Sequence, residues 1–587
     1  MRNQNLRAAL LLVCCALLMT ASVVMAGTRP QLTAQTTTTQ AGAVEEVVLG
    51  DLPQITPAIA AGAKQAPFPR NPHFTDAQYQ AAKLAASKAA VGSRPQDGAH
   101  LLVPRSGASP LGGASPLTPG NFVNFLGQSQ GCNGLGWTPS DMGLAVGPKN
   151  VVQVVNECIA VYSKTGVLAF GYPKDLCTLM KRVPNSGGAG CFDPRATYDW
   201  RAARWIVSSS YQDNLGTAWL DLAVSKGGLP TGGYSIYHFA RGPGLADYPT
   251  LGQTAYSVGG DNANNSVITI CDNFFGSTFY AECLFIPKGT ILVPGSGAYA
   301  PPIPSIPVVF DFTLGGDVLD TMQPVNVSDP EDNPKAQYVV DSVNFNGTDG
   351  FCSPAGTDSG LIIWSYSDAS GSQGIRFSGI YTGCNTTSPY FYPGNADNAN
   401  FCSACIETLD NRISAMVHYG SGRIYPSIDT NDGGASAVLG WTVRPFLDDN
   451  GGGCTGGVNC PVLSGTTIEQ EWCYDCGAGN FAEAYFGAQA PTPNGDWTMF
   501  ATFSNTGVSP GQFYTSNPVS FLFPFHDGGF YSCVNDASYN QFRWGDYDAV
   551  AVDYPGINND SAVWGSGMYV QSSGAWGTCI AANQPGQ

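Results

Sequence analysis

Seven stretches of the chain carry variations on one design: an acidic or small opening residue, an apolar strand, a Gly/Asn/Asp turn, and a second strand with an aromatic. They span 141–166, 193–239, 247–289, 336–380, 408–445, 471–514 and 544–580. Repetition on this scale predicts a β-propeller, in which each unit buries its apolar face against its neighbours. Val151 to Asn156 reads as one strand, with Ile159 to Tyr162 following after a short turn. Trp205 to Ser208 and Trp219 to Val224 repeat the scheme, as do 267–270, 361–364, 413–418 with 437–443, 482–486 with 499–504, and 549–553 with 567–570. Continuous β signal without long helical periods argues against the α/β classes.

The expected architecture is therefore an all-β, seven-bladed, disulfide-supported propeller over 121–587. Its units average about 65 residues, longer than the ~40–50 of compact propeller repeats. The excess lies in loops at 287–311, 385–401 and 448–460, where binding surfaces commonly reside. Six or eight blades, or two packed sandwiches, are the alternatives.

Ahead of the repeats, Arg2 and Arg7 precede an apolar run over 8–19, and Val24-Met25-Ala26 offers a small-residue cleavage site. Residues 1–26 thus read as a secretory signal peptide, and no later run approaches the ~18–20 apolar residues that span a bilayer. The expected location is extracellular or periplasmic, with no transmembrane segment. Residues 27–120 are rich in Ala, Thr, Pro and Gln and read as a largely disordered linker or pro-segment. One helix is expected at 75–90, with Thr75 as its cap and Asp76 in its first turn. A tether is the favoured reading of this segment over a pro-region that docks on the domain.

Of 18 cysteines, Cys14 and Cys15 fall in the signal segment, which leaves an even 16. In an oxidising compartment these predict disulfides, and they weigh against a four-thiolate zinc site at Cys402, Cys405, Cys473 and Cys476. The net charge of −18 argues against a nucleic-acid partner. The 72 glycines fit many tight turns between short strands.

Several motifs occur in a fixed order: Pro139-Ser140-Asp141-Met142-Gly143, Val152 to Asn156, Asp193-Pro194 with Tyr198-Asp199, Arg204-Trp205, Asp247-Tyr248-Pro249, and Trp544-Gly545-Asp546-Tyr547 with Trp576-Gly577-Thr578. Over about 139–580 this order resembles large secreted, mostly bacterial proteins described as propeller-like and often without an assigned function. The resemblance implies the fold and leaves the activity open. Arg195-Ala196-Thr197 stands where that family commonly has aliphatic residues.

The aspartates Asp141, Asp193, Asp199, Asp247, Asp546 and Asp548 each lie near the start of a repeat. If the starts converge, several carboxylates surround one channel. Asp193, Asp199 and Asp546 are then the candidates for general acid/base cleavage of a polysaccharide, by hydrolysis or elimination. Asp141, Asp247 and Asp548 are the candidates for Ca²⁺, which takes many oxygen ligands. The structural alternative is that each aspartate caps a turn. Arg204, Trp205, Tyr248 and Tyr547 are the candidate ligand contacts, since Arg clamps carboxylates and aromatics stack on sugar faces. A sialidase is disfavoured because no complete Ser-x-Asp-x-Gly-x-x-Trp turn is present.

Gly507-Val508-Ser509-Pro510-Gly511 matches a hydrolase elbow in letters, but Pro510 and strand-like residues stand where that elbow needs a helix. The five histidines show no metal-ligand spacing. Asp429 to Gly433 and Asp448 to Gly451 resemble calcium-loop fragments without the later Glu. Two functions follow: a secreted recognition protein for extracellular glycan or another surface ligand, or a polysaccharide hydrolase or lyase. Scarce histidine and abundant loop aromatics favour the first.

Overall fold

The computed structural model describes residues 31–55, 75–86 and most of 123–584; the longer interior segments outside the description are 255–265, 292–305, 344–359, 383–392, 449–460 and 531–542. The architecture is all-β and propeller-like. Antiparallel sheets follow one another along the chain, and core clusters pack between successive sheets. Each strand unit is apolar on both faces, so it becomes stable only when a neighbour covers each face.

The first sheet is Gly143–Val146, Asn150–Val155, Cys158–Ser163 and Lys174–Asp175. The second runs from Gly190–Asp199 through Arg204–Gln212 and Thr217–Ser225 to Gly233–Pro243. The last consists of Ala549–Asp553, Ala562–Val570 and Trp576–Asn583, and is completed by Val123–Ser129 from the beginning of the domain. Phe125 pairs with Ile580 in that closure. Tyr248, Tyr547, Trp544 and Trp564 share one core with Leu144 and Val151, which joins the two ends of the domain.

The expectation of seven separate blades is corrected. Among the described residues, five sheets of four or five strands stand alone, whereas other repeats merge into one twelve-stranded sheet. The cause is the short strand Asn326–Val327. It pairs in parallel with Gln253 on one side and with His418 and Tyr419 on the other, which bridges two antiparallel runs.

The first strands of several sheets share a local distortion. Register shifts fall between Phe192 and Arg195, between Asp247 and Thr250, and between Tyr485 and Ala488. At or beside these positions Asp193, Tyr248 and Phe486 have φ of 50°, 53° and 57°, and Asp141 has 40°. A non-glycine residue in the left-handed region within a bulge re-aims the backbone N–H, at a conformational cost that surrounding contacts must offset. Gly143 allows the strands to approach: a Cβ there would lie 2.7 Å from Val154 Cγ2 and 2.8 Å from the Ala196 nitrogen.

Parts of the segment expected to be a linker are built into the fold. Leu32–Thr39 pairs with Ile306–Leu314, and Glu45–Val48 pairs with Gly233–Pro243. The expected helix is present at Asp76–Ala86 and packs on the domain, so the tether reading is corrected for this stretch. Residues 1–30, and with them the signal-peptide expectation, lie outside the described residues. No helix of the described residues is long and apolar enough to cross a membrane.

Three disulfides are described: Cys132–Cys158, Cys177–Cys191 and Cys271–Cys283. Cys405 is also disulfide-bonded, which removes it from the alternative zinc set.

Candidate functional site

Asp141, Asp193 and Asp546 come together from three parts of the chain: Asp193 lies in Gly190–Asp199, Asp141 just ahead of Gly143–Val146, and Asp546 just ahead of Ala549–Asp553. One carboxylate oxygen of each lies within 4.8 Å of the others, and all three residues are buried. The distorted strand starts bring them there and connect them. The Asp546 N–H donates to Asp141 Oδ1 at 2.9 Å, and Asn156 Nδ2 donates to Asp141 Oδ2 at 2.7 Å. Asn156 Oδ1 accepts from the Asp193 N–H at 2.9 Å, and Asp193 Oδ2 accepts from the Tyr248 N–H at 3.1 Å. Side chains thus satisfy backbone groups that the bulges withdraw from their sheets.

Three arginines surround these carboxylates. Arg543 donates to both oxygens of Asp546, at 2.6 and 2.5 Å. Arg195 bonds the Pro249 carbonyl at 3.1 Å, and its guanidinium carbon lies 3.2 Å from the Tyr547 ring centroid. Arg412 grips Asp410 through two bonds, of 2.7 and 2.8 Å.

Burial, reinforced by the neighbouring Asp546 charge, pushes Asp141 up to about 8. Burial raises Asp193 as well, with further upward pressure from Asp141, Asp247 and Asp546. Asp546 is also raised by burial, against the opposing pull of Arg543. Such a set retains protons near neutral pH or takes up a cation. Asp141, Asp193 and Asp546 are the residues that could hold one, and Asp193 Oδ1 has no hydrogen-bond partner among the described residues.

A second acidic pocket adjoins the first. Glu407 forms a parallel bridge with Arg543, and its charge reaches Asp546. The pocket is filled by the helix Asp76–Ala86. Lys83 Nζ lies 3.2 Å from Glu407 Oε1 and donates to Thr408 Oγ1 at 2.7 Å and to the Leu409 carbonyl. Tyr79 donates its hydroxyl to Glu407 Oε1 at 3.0 Å. Burial lowers the Lys83 pKa, with Glu407 opposing that shift.

The sequence candidates distribute unevenly around these sites. Asp193 lies at the bulge of Gly190–Asp199 and Asp199 at the strand's end, six residues on. At ~3.3 Å per residue their separation approaches roughly 20 Å, too far to act on one glycosidic bond. Asp199 instead pairs with buried Lys288 at 2.5 Å and accepts from the Ala202 N–H. Of the calcium candidates, only Asp141 joins the tight cluster. Asp247 is buried close enough to Asp193 to raise its pKa. Asp548 accepts from Thr502 at 3.1 Å, well inside the fold.

The four expected ligand contacts also receive structural roles. Arg204 donates to the Ala202 and Ala203 carbonyls, at 2.9 and 3.1 Å. Trp205 is buried, with its indole N–H on the Gly228 carbonyl at 2.9 Å. Tyr248 and Tyr547 are buried against each other, their centroids 5.6 Å apart. The Tyr248 hydroxyl donates to the Asp546 carbonyl at 2.8 Å. Trp205, Tyr248 and Tyr547 are thus core side chains, whereas Arg204 is partly exposed. Ser509 lies within the strand Val508–Ser516, so the elbow reading fails structurally. Asp429, from one calcium-like fragment, accepts the Phe486 N–H with both oxygens at 2.9 Å. The sequence also concentrates aromatics at 390–392 and 523–525, and both stretches lie outside the described residues.

Sequence reasoning missed Glu407, Asp410, Arg412, Arg543 and Lys83 as members of the acidic centre. Arg543, three residues before Asp546, carried the clearest available signal. Lys83 follows Tyr79 by four residues, a spacing that puts both on one helix face.

No protein-family profile and no curated protein matches the chain. Similar solved structures include a xylan β-1,4-xylosidase from Bacillus halodurans C-125, at 10% identity and TM-score 0.25, covering 67% of this chain and 55% of that one. The chain thus spans about half of that enzyme's length. Another is an exo-β-1,3-galactanase from Phanerochaete chrysosporium, at 9% identity and TM-score 0.26, covering 79% and 97%. A protein of unknown function from Dyadobacter fermentans has 11% identity and TM-score 0.25, covering 57% and 94%. These likenesses are too weak to assign a function.

Proposed function

We propose that this chain is a secreted, non-catalytic recognition protein that binds extracellular glycan or another surface ligand through loops on its β-sheet ring. The observation that carries this reading is the burial and internal engagement of every candidate acid. Asp193 and Asp546 sit inside the carboxylate cluster, and Asp199 is held by Lys288. An enzyme acting on a polymer needs an accessible pair at about 5–10 Å, with one group free to transfer a proton. Disulfides and the expected signal peptide favour an oxidising extracellular setting. The resemblance to secreted bacterial propeller-like proteins fits the same reading.

The best-placed described aromatics are Trp200 and Tyr554. Both are partly exposed, and their rings meet edge-on with centroids 6.4 Å apart. They follow the strands Gly190–Asp199 and Ala549–Asp553, away from the buried acidic starts. Partly exposed rings stack on the C–H faces of sugars. The test is retention of the full chain on a polysaccharide array, combined with assay of the bound glycans for new reducing or unsaturated ends. Retention without new ends, reduced by Trp200→Ala, is expected. Turnover by the wild type, abolished by Asp546→Asn in a folded variant, would overturn the non-catalytic reading.

A further inference from the structure

The helix Asp76–Ala86 is placed as a ligand is placed. Its N-terminus is closed by a reciprocal pair: the Thr75 N–H donates to Gln78 Oε1 at 2.9 Å, and Thr75 Oγ1 accepts from the Gln78 N–H at 3.4 Å. Tyr79, Lys83 and Ala86 form its buried stripe, at the i, i+4, i+7 spacing of a single face. The domain meets that stripe with polar groups. Asn431 Nδ2 donates to the Ala86 carbonyl at 2.8 Å, and Glu407 receives both Tyr79 and Lys83.

The surroundings of Lys83 resemble a receptor for an ammonium ion. A carboxylate, a hydroxyl and a backbone carbonyl supply three kinds of acceptor to a group with three N–H donors. Asp410 and Asp429 add negative charge nearby. Glu407 Oε2 is buried and has no hydrogen-bond partner among the described residues, so the pocket has acceptor capacity beyond that used by the helix. Thr408 is oriented by its own bond to the Gly394 carbonyl at 2.8 Å. The acceptors belong to the sheet domain, whereas the cation comes from a short helix more than 300 residues earlier in the chain.

The geometry points to a primary-ammonium binding pocket formed by Glu407, Thr408 Oγ1 and the Leu409 carbonyl, occupied in cis by Lys83 and able to take an alkylammonium when the helix withdraws. This inference does not depend on glycan recognition. An ammonium suits the pocket because it is compact and presents several donors, while its alkyl stem follows the groove that the lysine methylenes now fill.

The test is chemical rescue in the full chain. Lys83→Ala removes three methylenes and the ammonium, a fragment matched by n-propylammonium. The variant is expected to melt below the wild type. Propylammonium is expected to restore more than half of that loss, with no comparable effect on the wild type. Tetramethylammonium at equal ionic strength has no N–H to donate and is expected to restore none. Adding Glu407→Gln to Lys83→Ala should abolish the rescue. Equal effects of the two cations, or no rescue, would overturn the proposal. If Lys83→Ala lacks a cooperative transition, Lys83→Met supplies the decision. A melting temperature equal to the wild type's would refute the ammonium pocket, and a lowered one would support it.

Discussion

The two adjoining acidic sites of this molecule are neutralised differently. The Asp141–Asp193–Asp546 cluster is served by Arg543, which lies three residues from its partner Asp546 and bonds both of its oxygens. The Glu407 pocket is served by Lys83, carried on a helix from the N-terminal segment. The contacts look alike, but their ease of separation differs. Arg543 is joined to the domain by its bridge to Glu407 and its bonds to Asp546, whereas withdrawal of the helix, as proposed above, would take Lys83 with it and admit water to Glu407. On the proposal above, the first site is a fixed clasp between the ends of the domain, and the second a pocket whose occupant can be removed.

The largest expected effect is on the fixed side. Arg543→Met leaves Asp546 buried without its principal countercharge, a change expected to cost about 3–5 kcal/mol. Lys83→Met should cost less, about 1–3 kcal/mol, because helix release lets Glu407 hydrate. Chemical denaturation of the two variants in parallel measures the difference. Equal losses would erase the distinction between clasp and occupant.

The pH response sharpens the comparison next. Asp141 is raised from an ordinary 3.8 to about 8, and Glu483 and Asp429 rise to about 8 and about 7, chiefly through burial. A raised folded-state pKa contributes stability that is fully present below the unfolded value and declines as pH rises through the folded one. Stability should therefore fall between about pH 4 and pH 8 on account of these groups. Buried His418 acts oppositely. Its pKa is lowered from 6.5 to about 4, so its contribution is present above 6.5 and is lost as pH falls towards 4. Melting curves from pH 4 to 9 should show a maximum on the acid side of neutrality. Asp141→Asn should flatten the alkaline limb, and an unchanged limb would remove Asp141 as its source.

A cation can replace the retained protons at the cluster. Calcium is accordingly expected to raise the melting temperature more at pH 8 than at pH 5, with EDTA reversing the gain. Elemental analysis showing no bound metal, together with identical melting curves, would leave protons as the counterions. The smallest effect is expected at Phe170, whose side chain is fully exposed. Phe170→Ser should shift stability by no more than about 0.5 kcal/mol.

The contrast also shows what the sequence made legible. Alternating apolar runs and turn residues revealed the strand units, because period-two burial is a local property. The fusion through Asn326–Val327 was hidden, since two residues carry almost no periodic signal. Asp141, Asp193 and Asp546 were legible as repeat-start acids, and the expectation that some starts converge is met by these three. Asp199 was misgrouped because proximity in sequence concealed its place at the far end of an extended strand. Tyr248, Tyr547 and Trp205 were read as ligand contacts because aromatics serve cores and sugar sites equally well, and only packing separates the uses. Thr75 and Asp76 announced the helix, but its docking depends on Glu407, a partner more than 300 residues from Lys83 in the chain. No local pattern encodes such a pairing.

Hydrogen–deuterium exchange on the full chain tests the fixed-versus-removable distinction most directly. Amides within Asp76–Ala86 should exchange about tenfold or more faster than those of Asp193, Tyr248 and Asp546, because the helix can open without opening the ring. Equal protection of the two sets, lost together in a single global opening, would contradict the account.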